Sequence, residues 1–135
     1  ISDNIHPLQS NDKGYRPMDK TMIYKPKKTQ LKKEEYKYDS LKLYYLERLV
    51  KECKAKGTQL VFAISPQYAS HNDDVYKPLK EICSRYQVPL LNHYCDKDFV
   101  DNSDYFYDSV HMNRTGATKY TKMLVGELRI IRNTK

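Results

Sequence analysis

The sequence predicts an α/β domain ordered αβαβα around a short parallel sheet, and three observations predict it. A stretch with apolar residues at helical spacing is followed by a short continuous apolar run, the same pair of patterns then repeats, and a last amphipathic stretch closes the chain. The 135 residues are 39% hydrophobic and 30% charged, enough for one core and too few for a second.

The elements follow in order. Residues 1–38 carry Pro7, Gly14, Pro17 and Pro26 without a sustained period, so they read as an extended basic arm that must lean on something to be ordered. The α/β domain is assigned to residues 39–135. From Ser40 to Lys56 the apolar positions Leu41, Tyr45, Leu46, Leu49, Val50 and Cys53 recur at helical spacing. Asp39 or Ser40 can cap this helix and Gly57 can end it. Gln59 to Ile64, closed by Ser65-Pro66, fits a buried parallel strand. A second helix places Val75, Leu79, Ile82, Cys83 and Tyr86 on one face, with Pro78 near its first turn, where a missing N–H costs little. Val88 to Asn92 is a second strand, and the last helix, starting near Asn113 or Thr115, carries Ala117, Tyr120, Leu124, Leu128 and Ile131 on one side. A strand, crossover helix and strand in that order make the two strands parallel, with ligands expected beyond their C-terminal ends, at loops 65–73 and 93–113. Two strands alone make a poor sheet, so the fold reads as part of a larger one.

The net charge of +7 is concentrated in the N-terminal third, where Lys13 to Lys56 holds fourteen Lys and Arg against six Asp and Glu. Lys25 to Lys33 interleaves with Tyr24, Tyr36 and Tyr38, a pattern that could serve a polyanion, yet no nucleic-acid motif accompanies it and a solvated connector is preferred. No nucleic-acid partner is therefore expected. Cys53, Cys83 and Cys95 are odd in number and form no CxxC pattern, so neither a disulfide framework nor a zinc site is indicated. His93-Tyr94-Cys95-Asp96 holds metal-ligand residue types on one short segment, which rarely converge without partners elsewhere; no metal or cofactor is expected. No apolar run approaches the roughly 20 residues that span a bilayer. The chain opens on Ile1-Ser2-Asp3 without an initiator Met or a signal peptide, and it reads as a processed or excised piece of something longer.

The chemistry sits at Tyr105-Phe106-Tyr107-Asp108-Ser109-Val110-His111-Met112-Asn113. An Asp three positions before a His, on a turn, lets the carboxylate reach imidazole Nδ1 and holds Nε2 in the tautomer that takes a proton from a hydroxyl. The same spacing also suits a hydrogen-bonded corner, with Asn113 as the helix cap and His111 packed on the aromatic cluster.

The run Asp108-Ser109-Val110-His111-Met112-Asn113-Arg114-Thr115-Gly116-Ala117 resembles the terminal block of the SGNH (GDSL-like) hydrolases, a D-x-x-H pair followed by Asn and by Gly-Ala at the start of the last helix. The preceding strand ending in Ser65-Pro66, the helix and the strand at Pro89-Leu90-Leu91 are similar to the closing half of that family's flavodoxin-like, three-layer α/β/α fold. The resemblance covers about residues 41–131 and implies His111 as general base and Asp108 as its orienting partner. The implied reaction is that of a serine esterase or acyltransferase acting on acyl esters, often on acylated carbohydrates, in a bacterial envelope or secreted setting.

The family's Gly-Asp-Ser nucleophile turn and its Gly-x-Asn-Asp oxyanion block have no counterpart before Ser40. Ser70-His71-Asn72-Asp73 has Ser where that block has Gly and stands too close to the D-x-x-H pair. Ser65 is followed by Pro66, which has no N–H to offer an oxyanion, and Ser109 lies inside the turn, where its hydroxyl bonds local backbone. The expectation is therefore the C-terminal part of an SGNH-like hydrolase, inactive alone, whose sheet an upstream segment or an oligomer completes. The alternative is a noncatalytic α/β interaction module with a basic, Tyr-rich arm for an acidic or glycan partner.

Overall fold

The computed structural model describes residues 17–23 and 36–133. Helix α1 (Ser40–Ala55) starts where the Asp39 carboxylate accepts hydrogen bonds from the Leu41 and Lys42 amides at 3.0 and 3.1 Å. It stops at Gly57, whose φ of 67° lets Gly57 N–H reach Lys54 O and Thr58 N–H reach Cys53 O, the paired bonds of a Schellman end. Strand β1 (Phe62–Ile64) follows, and a 3₁₀ turn over Asp74–Tyr76 leads into α2 (Lys77–Tyr86), with Pro78 in its first turn. Gln87, at φ 54°, repeats the Schellman end, and the chain enters β2 (Leu90–Asn92). Helix α3 (Arg114–Asn133) is the last element.

The two strands pair in parallel with Phe62 opposite Leu90, Ala63 opposite Leu91 and Ile64 opposite Asn92. They are shorter than the apolar runs that contain them, because the ladder holds over three residues only. The domain is thus a mixed α/β unit of three helices and a two-stranded parallel sheet among the described residues. None of its helices is long and apolar enough to cross a membrane.

Two apolar clusters hold it together. Val50 of α1, Ile82 and Cys83 of α2 and Val88 are buried with Phe62 and Leu90 from the sheet packed against them. Met22, Tyr68, Phe99, Phe106 and Tyr120 form the other cluster, under the loops that follow the strands. Cys53, Cys83 and Cys95 are all free thiols, and burial pushes the Cys83 thiol upward from its ordinary value.

The apolar positions of α1 divide between two flanks. Leu46, Val50 and Cys53 face inward as their spacing predicts, whereas Leu41, Tyr45 and Leu49, at steps of four, are 62%, 56% and 46% exposed. No described element covers that flank. Leu128, on the apolar side of α3, is 38% exposed, and Val125 nearby 40%. The basic run Lys25 to Lys33 lies outside the described residues.

Candidate active site

The turn that carries Asp108 and His111 is closed at its base. Phe106 pairs with Met112 in an antiparallel bridge, and Tyr107 N–H donates to His111 O at 2.8 Å. Within it, Asp108 Oδ1 accepts from the backbone amides of Val110 (2.8 Å) and His111 (2.7 Å), the local bonding that makes Asp a turn former. The same carboxylate faces the His111 ring: Nδ1 lies 2.9 Å from Oδ2 and 3.1 Å from Oδ1. The tip is tied down by Tyr68 N–H, which donates to Ser109 O.

Desolvation pushes the Asp108 carboxyl up, but the two amide bonds and the His111 ring outweigh it and hold it below the ordinary carboxylate value. Asp108 is therefore an anion at neutral pH. An anionic acceptor on Nδ1 fixes the proton of a neutral imidazole there and leaves Nε2 as the basic nitrogen. Nε2 has no hydrogen-bond partner among the described residues, and the side chain is 61% exposed.

The foundation of the turn is Asn113, 3% exposed. Its Oδ1 accepts from Gly116 N–H at 3.0 Å, capping α3, and its Nδ2 donates to Asp104 O at 2.8 Å. Asn113 thus serves as the predicted cap and also ties α3 to the segment that leads into the turn. Gly116 lies so near that segment that a Cβ there would sit 2.8 Å from Tyr105 Cβ, 2.9 Å from its carbonyl carbon, and closer still to its oxygen. Only glycine fits this approach.

The segment Pro17–Ile23 of the arm expected to lean on something is a strap across this turn and the start of α3, partners the sequence did not indicate. Arg114 N–H donates to Met18 O at 2.7 Å, Met22 N–H donates to Phe106 O at 2.8 Å, and the Arg114 guanidinium holds the Asp19 carboxylate through Nε and Nη2. Met22 is buried in the core. These partners are distant in sequence, and the signal for them was weak: Met18, Met22 and Ile23, apolar residues with no sustained period.

Two solvent-open pockets lie along the strap and the turn. One, about 330 Å³, brings together Met18, Ser65, Val110, His111, Met112 and Ala117. The other, about 630 Å³, lies on the Asp108 side against Lys20, Met22, Ile23 and Tyr107. Ser65, the serine nearest an elbow position, therefore shares a cavity with His111, at the C-terminal end of β1 where chemistry was expected. The loop containing Ser70 to Asp73 is used otherwise: His71 faces Asp101 at 3.5 Å, Asn72 Oδ1 accepts from Asp74 N–H, and Asp73 bridges Lys80 and Asn92.

A second histidine cluster lies deeper. His93, with a side chain 12% exposed, has Asp96 Oδ2 at 3.1 Å from Nδ1 and Glu127 Oε2 at 2.9 Å from Nε2, with Tyr120 edge-on to its ring. Both of its nitrogens are occupied, so it ties the end of β2 to α3 and is not an accessible base. Cys95 takes no part, and no group of three or more His, Cys, Asp or Glu side chains among the described residues is placed to hold a metal ion. Comparison of the chain with protein-family models, with curated proteins and with solved structures finds no match.

Proposed function

We propose that this chain supplies the acid–base half of an SGNH-type acyl-ester hydrolase or acyltransferase site, with His111 as general base and Asp108 as its orienting carboxylate. The observation that carries the reading is the Asp108 carboxylate, fixed by two backbone amides and placed 2.9 Å from the Nδ1 of His111, a residue that lines a solvent-open pocket. His93 differs in having carboxylates at both ring nitrogens. In the proposed step a serine hydroxyl attacks the acyl carbonyl while its proton passes to Nε2, which later returns it to the leaving alkoxide.

The nucleophile comes from outside the described residues in this reading. Ser65 shares the cavity, but Pro66 offers no amide to a developing oxyanion. The edge of β1 supports a completed, three-layer flavodoxin-like sheet. β1 pairs on one side only among the described residues. On α1, Glu47 bonds Tyr86 and Arg85 of α2, so Tyr45 and Leu49, on another flank, project away from α2. On α3, Glu127 marks the β2 side through His93, and Ala117 marks the β1 side by sharing a cavity with Ser65. Thr121, Val125 and Leu128 continue the Ala117 flank. Tyr45 and Leu49 of α1 and Val125 and Leu128 of α3 are exposed, the kind of apolar surface an added strand and its helices would bury.

The test is acyl-ester turnover by the assembly that contains this chain in its source cell, isolated through a C-terminal tag. His111→Ala is expected to lower kcat by about 10⁶-fold and Asp108→Asn by about 10⁴-fold. The chain of 135 residues by itself is expected to show none. Turnover indifferent to His111→Ala would refute the assignment. The competing reading, a binding module for an acidic or glycan partner, is favoured by the stacked rings of Tyr36 and Tyr38 at the arm's junction with the domain, and it predicts no turnover in any assembly.

A further inference from the structure

We propose that the outward face of α3, from Thr115 to Arg129, binds a linear glycan that carries sulfate or phosphate esters. This surface lies outside the acid–base reading and does not depend on it. Over its 20 residues α3 holds five Lys and Arg against a single acid, Glu127, and that carboxylate is committed to His93 Nε2. On α1 and α2, carboxylates stand against five cations: Asp39 faces Lys42, Glu52 faces Arg48, Glu47 faces Lys51 and Arg85, and Asp73 faces Lys80. Among the described residues no carboxylate pairs with Lys119, Lys122, Arg129 or Arg132, and Lys119 reaches only the Asp98 carbonyl, the Tyr105 hydroxyl and the Phe99 and Tyr105 rings. Lys119 and Lys122, and again Arg129 and Arg132, are like charges three positions apart on one helix, a repulsion that the fold leaves uncompensated.

Thr115, Thr118, Lys122, Gly126 and Arg129 follow one another at steps of three and four, and all are exposed. They form one line along the helix, about 21 Å long at 1.5 Å per residue. The first part of this line is an open depression shared by Arg114, Thr115, Thr118, Lys119 and Lys122. Further along stands Gly126, with nothing within 4 Å of where a Cβ would lie. Glycine is among the least favourable residues in a helix interior, and no packing contact requires it here. It leaves a gap between Lys122 and Arg129 where the backbone of a ligand can approach the helix closely. A chain with spaced esters fits this arrangement: the cations meet successive esters, and the tetrahedral groups, with three acceptor oxygens each, also accept from the Thr115 and Thr118 hydroxyls. A bilayer surface is too broad to enter a gap one residue wide, and Val125 and Ile130 stand to either side of the line, not on it. No aromatic ring lies on the line for a nucleic-acid base to stack on.

The experiment titrates the 135-residue protein with a heparin octasaccharide and with a phosphomannan fragment of similar length, followed by calorimetry and amide NMR. Saturable binding is expected, weakening steeply with added salt and shifting amides of α3 from Thr115 to Arg132, and the tighter probe identifies the ester. Lys122→Gln combined with Arg129→Gln should lower the affinity by about tenfold, two surface charge contacts near the upper end of their usual worth. Lys25→Gln, Lys27→Gln and Lys28→Gln together should lower it less, which separates this surface from a general attraction to the basic arm. Gly126→Ala and Gly126→Leu change no charge and should weaken binding in that order, although the alanine favours the helix. Gly126→Leu at wild-type affinity, an affinity set by the arm lysines instead of Lys122 and Arg129, or tighter binding to oligothymidine or to phosphatidylglycerol vesicles would overturn the proposal.

Discussion

Two glycines of one helix separate a packing requirement from a helix preference. Gly126 is exposed on α3 with nothing within 4 Å of a Cβ built on it, so Gly126→Ala meets no neighbour and gains helix propensity, about 0.8–1 kcal/mol. Gly116→Ala gains the same propensity but must push a Cβ away from Tyr105 atoms at 2.8 and 2.9 Å, when ordinary contact begins at 3.4 Å. The neighbour is backbone, held by Asn113 N–H on Tyr105 O and by Asn113 Nδ2 on Asp104 O, so it cannot swing aside as a side-chain tip would. A displacement of about half an ångström or more in a packed region costs about 1–3 kcal/mol net. For a domain of this length, roughly 3–4 °C of Tm corresponds to 1 kcal/mol. Calorimetry should therefore place Gly126→Ala roughly 3 °C above wild type and Gly116→Ala roughly 4–10 °C below it, and the NMR signals of Asp108 and His111 should move only in the latter. A Gly116→Ala protein as stable as Gly126→Ala would refute the close approach of α3 to the segment leading into the turn.

Asn113→Ala should cost about 1–2 kcal/mol in urea unfolding, because it removes the α3 cap and the amide donor to Asp104 O. Asn113→Asp, which keeps the capping oxygen but not the amide donor, should recover part of that loss. The pH dependence follows from Asp108, whose carboxyl is held below its ordinary value. The turn's stabilisation by this group is fully present above about pH 4, the unfolded carboxylate value, and is lost as pH falls through the lower folded value. Hydrogen exchange at Val110 and His111, corrected for intrinsic rates, should lose protection in that acid window, and Asp108→Asn should abolish the transition.

The parts of this fold that were legible in the sequence are those set by neighbours along the chain. Asp39 as cap, Gly57 as stop, Pro78 in the first turn and Asn113 before α3 each act within a few residues, and each stands where local chemistry predicted. So does the pair Asp108 and His111, because a turn three residues deep determines its own geometry. Periodicity reported that Leu41, Tyr45 and Leu49 form a face but not what lies against it, since spacing carries no information about the partner. The strap and the His93 cluster were illegible for the opposite reason. Asp19 meets Arg114 across 95 positions and His93 meets Glu127 across 34, and no local pattern encodes such pairs.

The claim that Asp108 fixes His111 as a base is tested most directly by ¹⁵N NMR of the His111 ring in its neutral form. A proton on Nδ1 and a bare Nε2 are expected in the wild type, with this preference weakened in Asp108→Asn. A wild-type ring protonated on Nε2, or a tautomer ratio unchanged by Asp108→Asn, would contradict it.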